Sequence, residues 1–183
     1  MKVGDEIDLD TLKLINFENG SELELYINCF NESMRLQPPV YQTSTCCMSE
    51  DVQCGPVKMR KDDPFSISIH HLHNNPEEWF EPDRFIPERF NTDHPYYLTP
   101  AGNKRNPFSF SPFLGGSRIC MGKTFIEAVS KLTTPVLLEY FEFDFEEGID
   151  PQKFEYPHNN MSALKMPDVK VRITQRNPVY KVV

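Results

Sequence analysis

The residues with the clearest chemical signature form a ten-residue segment that ends two residues beyond a cysteine. Its pattern is F-x-x-G-x-R-x-C-x-G, and the fixed positions are Phe113, Gly116, Arg118, Cys120 and Gly122. Glycines let a backbone loop pass close to a flat ligand. The positive end of a following helix favours the thiolate form of cysteine, which is the form that binds metal. A guanidinium two residues before the cysteine can bind a ligand carboxylate.

The alternative to a metal ligand is a buried structural cysteine beside a glycine turn. Four matches besides the cysteine arise by chance at roughly one in 10⁵ per cysteine, if each residue type has average usage. The spacing therefore favours a thiolate ligand. Gly115-Gly116-Ser117 also resembles part of a phosphate loop, but no preceding strand or correctly spaced lysine–threonine pair supports that interpretation.

Two further motifs precede this segment. Glu32-Ser33-Met34-Arg35 has the pattern E-x-x-R and falls in a predicted helix, where Glu32 lies on an apolar stripe. A carboxylate in that place needs charged partners, because an unpaired buried charge is costly. The second motif, Pro87-Glu88-Arg89-Phe90, lies in a proline-rich stretch and offers another arginine.

Together the three motifs, in this order, resemble the cytochrome P-450 family of haem-thiolate monooxygenases. The resemblance runs from about Leu23 to the C-terminus. It implies that Cys120 is the axial ligand of the iron of haem b, with Phe113 packed beside the thiolate. It also implies that Gly116 and Gly122 shape the loop, and that Arg118 meets a haem propionate. In the family the glutamate and two arginines form a buried network, which corresponds here to Glu32, Arg35 and Arg89.

The resemblance also implies partners. A thiolate ligand favours O–O cleavage, so O2, a small lipophilic substrate and an electron-donating reductase are expected. Lys104, Arg105 and Lys123 lie near the loop in sequence and are candidates for docking an acidic reductase, with ordinary solvated charge as the alternative. One departure concerns Leu114, which stands where the family usually has glycine or another small residue, so a displaced loop is expected.

The expected fold is mainly α with small β-sheets (α+β), and it corresponds to the C-terminal, haem-side portion of the family's fold with a long proline-rich meander. The 16 prolines exclude a wholly helical chain. A strand is predicted at 65–69, a short helix from about residue 75, and strands at 169–174 and 179–183. We expect one incomplete domain over 1–183, with a lead-in at 1–20, the E-x-x-R helix at 21–37, small strands at 38–70, the meander at 75–112, the haem-thiolate loop at 113–122, a C-terminal helix at 121–141 and C-terminal strands at 142–183.

Composition narrows the function classes. The net charge of −8 argues against nucleic-acid binding, and no apolar run is long enough to span a bilayer. Five cysteines with irregular spacing predict a reducing compartment rather than a disulfide framework. Many longer members of the family are anchored in the endoplasmic reticulum membrane, so the location of this chain stays open.

Two other functions compete with the monooxygenase. The first is a truncated, non-catalytic relative that at most binds haem, because nothing in the chain resembles the family's oxygen-activating distal helix. The second is a small zinc protein, in which three histidines would join three cysteines. Those cysteines lack C-x-x-C spacing. The residues concerned are His70, His71, His73, Cys46, Cys47 and Cys54.

Overall fold

The computed structural model describes residues 23–146 and 169–176, which form two compact units. One unit contains Asn28–Ile119, and the other contains 23–27, 120–146 and 169–176. The predicted lead-in at 1–20 and the strand at 179–183 lie outside the described residues. Helices and small antiparallel sheets together fit the α+β class. The regular elements are α1 (Glu24–Leu36), β1 (Cys46–Cys47), β2 (Val52–Cys54), β3 (Val57–Met59), β4 (Pro64–Phe65), α2 (Ile69–His73), α3 (Lys123–Tyr140), β5 (Phe141–Phe145) and β6 (Val171–Gln175).

Helix α1 buries a polar face. Asn28, Glu32 and Arg35 follow a spacing of four and three residues, so they share one side of the helix, and all three are buried. The helix ends at Leu36, shortly before Pro38 and Pro39, which disfavour helical backbone in the residue before each of them. A helix that buries charged side chains needs partners from elsewhere in the chain, and the following segments supply them.

The segment after α1 forms two short antiparallel pairs. Strands β2 and β3 make a hairpin around Gly55, whose φ of 56° belongs to the left-handed region that glycine adopts readily. Strand β1 pairs with β4, with Cys46 opposite Phe65. These sheets have mostly exposed side chains, so they add little to the core.

The predicted strand at 65–69 forms only at Phe65, the last residue of β4, with an isolated bridge at Ser68. Ser68 has extended backbone, and its side chain accepts a hydrogen bond from the His71 amide, so it caps a helix that begins at Ile69. The apolar alternation of Phe65, Ile67 and Ile69 indicated a strand, but the capping side chain redirects the backbone. Ile69 is then buried as the first residue of α2.

The predicted helix from residue 75 is also wrong, because only one turn forms. The carbonyl of Asn75 accepts hydrogen bonds from the amides of Glu78 and Trp79 at 3.0 and 2.9 Å. Glu81 then has a φ of 44°, in the left-handed region, and the chain reverses there. This reversal turns backbone carbonyls toward the arginines described below.

Short 3-10 helices and turns make up the meander, as its prolines predict. Proline starts three of the 3-10 helices, where its fixed φ is favourable and its missing N–H costs little. Trp79 is the centre of this region, with 1% of its surface exposed. Its ring lies 5.9 Å from that of Phe90 and 6.3 Å from that of Phe110, between ring centroids. The 3-10 helices are Pro87–Phe90, Pro95–Tyr97, Pro107–Ser109 and Gly116–Arg118.

The other unit consists of α3 and one hairpin-like sheet. Helix α3 runs for 18 residues, and Pro135 lies inside it without ending it. Strand β5 follows directly and pairs antiparallel with β6 over five residues, so the predicted strand at 169–174 forms but begins two residues later and ends one residue later. In the part of the chain that is described, no helix is long and apolar enough to cross a membrane.

Candidate functional site

Glu32, Arg35 and Arg89 meet in one buried cluster. Glu32 Oε2 accepts a hydrogen bond from Arg35 Nε at 2.8 Å, and Oε1 accepts one from Arg35 Nη2 at 2.8 Å. Oε1 also accepts from Arg89 Nε at 3.1 Å and from the amide of Ile86 at 2.9 Å. All three charged side chains are fully buried. The carboxylate on an apolar stripe therefore has the partners that its position requires.

The cluster has more positive than negative charge, because Glu32 is the one buried carboxylate among the described residues. Backbone carbonyls take up the remaining guanidinium N–H groups. Arg35 donates to the carbonyl oxygens of Pro82 at 2.7 Å and Arg84 at 3.1 Å. Arg89 donates to the carbonyls of Phe80, Glu81 and Arg84. Desolvation by burial lowers the pKa of Arg89, while Glu32 opposes that shift.

Arg105 is half-buried beside this cluster and its side chain has partners there, which argues against its predicted role in docking a reductase. Its guanidinium carbon lies 4.3 Å from the centroid of the Trp79 ring, and its N–H groups donate to the carbonyls of Tyr96 and Arg89. Burial lowers its pKa to about 10, with nearby Arg89 as a second cause. Arg35 also lies over the Trp79 ring at 5.2 Å, so both guanidinium groups make cation–π contacts with one indole.

The other two docking candidates differ in exposure. Lys104 is exposed. Lys123 has 45% of its side chain exposed, and its Nζ lies 3.9 Å from a carboxylate oxygen of Glu127 one helical turn later. Among the three candidates, Lys104 is therefore the one whose charge is open to solvent without an ion pair in the described structure.

A turn over residues 111–114 leads into the glycine-containing loop. The amide of Leu114 donates to the carbonyl of Ser111 at 3.0 Å, with Pro112 at the second position, where its fixed φ suits a turn. Leu114 itself has a φ of 61°, which is costly for a branched side chain. Gly116 has a φ of 65° with open space around its Cα. The position that carries leucine here thus has a glycine-like backbone.

Arg118 and Cys120 are both exposed. Within the described structure Arg118 forms no ion pair or hydrogen bond through its side chain. Cys120 precedes α3 by three residues, and its carbonyl accepts a hydrogen bond from the Lys123 amide at 3.2 Å. A Cβ at Gly122 would lie 3.7 Å from Cys120 Sγ, which is ordinary van der Waals contact. Phe113 is half-buried.

The remaining cysteines lack these features. Cys29 is half-buried in α1, and burial together with Glu88 and Glu32 raises the pKa of its thiol, so it stays protonated at neutral pH. Cys46, Cys47 and Cys54 are exposed on the small strands, away from a helix start. Among residues 23–146 and 169–176, no group of three or more His, Cys, Asp or Glu side chains is arranged to hold a metal ion.

Comparison with known proteins identifies the family. The sequence model described as "Cytochrome P450" matches residues 6–173. The chain belongs to the cytochrome P450 family. Cytochrome P450 4F6 from Rattus norvegicus is 33% identical over 129 residues, which is 70% of this chain and 22% of the rat protein. Probable cytochrome P450 4p2 from Drosophila melanogaster is 28% identical over 171 residues, 93% of this chain and 31% of the fly protein.

A solved cytochrome P450 has the same fold. The structure described as retinoic acid bound cyanobacterial CYP120A1 matches with a TM-score of 0.71 and 24% identity, over 91% of this chain and 36% of that one. The chain thus spans between about a fifth and a third of the curated relatives named above. The solved structure supports the P450 fold for this segment.

The residues present fit a haem. The chain offers an exposed thiol ahead of a helix N-terminus, an exposed arginine without a partner among the described residues, and a loop whose backbone requires glycine at Gly116. These features suit an iron ligand, a partner for a carboxylate and close approach to a flat ring, respectively.

Sequence reasoning missed two residues of this region. His73 is fully buried and contacts both α1 and the chain before the loop, although its motif context suggested an ordinary histidine or a weak zinc ligand. Trp79 lies within cation–π distance of two guanidinium groups, and the one usable signal was that it is the single tryptophan, placed within the proline-rich meander.

Proposed function

We propose that this chain forms the haem-holding part of a haem-thiolate monooxygenase, with Cys120 as the axial ligand of the iron. The observation that carries the proposal is the exposed Cys120 thiol three residues ahead of α3, within the F-x-x-G-x-R-x-C-x-G loop. The unpaired amides at a helix N-terminus carry partial positive charge, which is a suitable environment for an anionic ligand of iron.

The other loop residues have separate roles in this proposal. Gly116 provides the left-handed turn that the backbone needs, and Gly122 leaves open the space beside the cysteine sulfur, where an added Cβ would lie 3.7 Å away. Arg118 is exposed and binds a propionate of the haem through charge-assisted hydrogen bonds. By resemblance to the family, Phe113 supplies an apolar side chain to the haem site.

When bound, haem b supplies the reductive activation of O2, by which one oxygen atom enters a lipophilic organic substrate and the other leaves as water. The chain's own contribution is ligation and orientation. The Glu32–Arg35–Arg89 cluster fixes α1 against the meander that precedes the loop, through hydrogen bonds that are all buried. An electron-donating reductase is the proposed protein partner, and Lys104 and Lys123 are the candidate contacts for it.

The proposal is tested by the spectrum of the reduced protein with carbon monoxide, in which thiolate ligation gives a red-shifted Soret band. We expect this band in the unchanged protein and its loss in Cys120→Ala. Cys54→Ala is the matched control, because Cys54 is also exposed but lies on a strand. Arg118→Gln should retain the band and weaken haem binding.

Two outcomes would contradict the proposal. An unshifted Soret band in the unchanged protein removes Cys120 as the axial ligand. A red-shifted band without oxygen insertion into any lipophilic substrate, in the presence of a reductase, reduces the function to haem binding.

A further inference from the structure

His73 joins three parts of the unit that contains it. It is fully buried at the end of α2. Its Nδ1 lies 3.3 Å from the carbonyl oxygen of Met34 in the last turn of α1, and its Nε2 lies 2.9 Å from the amide nitrogen of Ser111. Its own carbonyl accepts a hydrogen bond from Arg35 Nη1 at 2.9 Å.

The partners fix the protonation pattern of the ring. A carbonyl oxygen only accepts, so Nδ1 carries the proton that is donated to Met34. A backbone amide only donates, so Nε2 has a free lone pair and accepts from Ser111. The imidazole is therefore neutral, with the proton on Nδ1. Desolvation by burial agrees with this state, because it lowers the pKa of His73 to about 4.

Ser111 lies two residues before the loop at 113–122, in the turn that leads into it. Its carbonyl accepts a hydrogen bond from Leu114, so both backbone polar groups of Ser111 are engaged, one by the loop and one by His73. Phe113 follows two residues later. The ring of Phe110, just before Ser111, lies 5.2 Å from the His73 ring, so the aromatic neighbour of Ser111 also packs against this histidine.

We propose that His73 is a positioning residue that ties the start of the haem loop to the helix carrying Glu32 and Arg35, through the hydrogen bond from the Ser111 amide to Nε2. The inference rests on the proposed function, since the loop positions a haem only if Cys120 is a ligand. The hydrogen bond itself belongs to the fold, so it can be tested apart from the haem.

Three substitutions distinguish the roles of the two ring nitrogens of His73. His73→Gln places an amide oxygen near the position of Nε2, so it can still accept from Ser111. His73→Asn reaches only the position of Nδ1, so it keeps a donor for Met34 and loses the acceptor for Ser111. His73→Phe keeps a ring and loses both. Circular dichroism confirms that each variant is folded.

Two measurements follow, of which the first is made with and without haem and the second on the haem-loaded protein. Hydrogen exchange at the Ser111 amide should rise by roughly tenfold in His73→Asn and His73→Phe, the size expected for one lost hydrogen bond, and stay near the unchanged value in His73→Gln. The red-shifted Soret band of the carbon monoxide complex should persist in His73→Gln and be largely lost in His73→Asn. Equal behaviour of the glutamine and asparagine variants in both measurements would overturn the proposal.

A third measurement needs no variant. Nitrogen NMR of the diamagnetic carbon monoxide complex should show His73 with a protonated Nδ1 and an unprotonated Nε2 at neutral pH. A proton on Nε2 would overturn the proposal. If the unchanged protein lacks the red-shifted band, the proposed function fails, whereas exchange at Ser111 and the tautomer of His73 still decide whether the histidine holds the loop.

Discussion

Replacing Glu32 with glutamine should destabilise the protein strongly, although the side chain keeps its size and shape. Glu32 accepts four hydrogen bonds, three of them from guanidinium groups, with donor–acceptor distances between 2.8 and 3.1 Å. Glutamine has one oxygen to accept with, and its amide nitrogen would point a donor at an arginine that also donates. Two fully buried guanidinium groups, those of Arg35 and Arg89, would then lack a counter-charge.

The magnitude follows from the burial of the cluster. Removing one partner of a buried ion pair typically costs about 3–5 kcal/mol, because the remaining charge stays buried without compensation. Each charge-assisted hydrogen bond contributes about 1.5–3 kcal/mol, so losing two of them gives a similar sum. We therefore expect Glu32→Gln to lower the free energy of unfolding by about 3–5 kcal/mol, which is a large share of the stability of an ordinary domain.

Urea denaturation measures this loss, with fluorescence of Trp79 as the probe. Trp79 is the single tryptophan, and it is buried in contact with Arg35, so its emission reports on the cluster. Glu88→Gln is the matched control, because Glu88 is exposed next to Arg89 and should change stability by under about 1 kcal/mol. If the two variants have the same unfolding midpoint, the reasoning that the carboxylate holds two buried charges is refuted.

Further predictions concern the loop and its supports. Leu114→Gly should raise the free energy of unfolding by about 1 kcal/mol by relieving the backbone strain at φ 61°, whereas Leu114→Ala should leave it unchanged. If denaturation gives the two variants the same free energy of unfolding, the backbone at Leu114 is not strained. Gly116→Ala should cost about 1–2 kcal/mol through its φ of 65° alone, since no atom lies near the added Cβ. Arg105→Lys should cost about 1–3 kcal/mol, because lysine lacks the planar fork that stacks on Trp79; a neutral result would remove that contact as a support. The pKa of His73 falls from 6.5 to about 4 on folding, so its contribution to the free energy of unfolding is fully present above pH 6.5. As the pH falls toward 4, the free energy of unfolding should decrease by about 3 kcal/mol. Denaturation of His73→Gln over the same pH range should not show this decrease.

Much of the candidate site follows from the sequence because its residues break ordinary patterns. A glutamate on an apolar helical stripe is costly unless it is paired, so Glu32 predicted arginine partners, and the structure places Arg35 and Arg89 against it. The cysteine ahead of a helix was predictable in the same way, because helix α3 begins three residues after Cys120. For Glu32, local sequence was enough to predict that charged partners lie beside it.

The parts that were not predicted depend on contacts between distant residues. Arg105 has the same side chain as any surface arginine, and only the position of Trp79, 26 residues earlier in the chain, decides that its guanidinium packs against an indole. His73 likewise looks like one of three histidines in a short stretch, until Met34 and Ser111 are seen on its two sides. Ser68 could be recognised as a helix cap only if it were known that the extended segment ends there and that a helix begins at Ile69. Such effects come from tertiary packing, which the hydrophobic periodicity of a short stretch of sequence does not reveal.

The carbonyl oxygens of the turn between Phe80 and Arg84 have a consequence for mutation. Four of them accept from Arg35 or Arg89, and a carbonyl is supplied by every amino acid, whichever side chain it bears. Most single substitutions in this turn should therefore be tolerated. Replacing Glu81 with glycine should suit the backbone there, since its φ is 44°. Adding or removing one residue would instead move every oxygen out of reach. The length of this turn is thus constrained, whereas its amino-acid sequence is not.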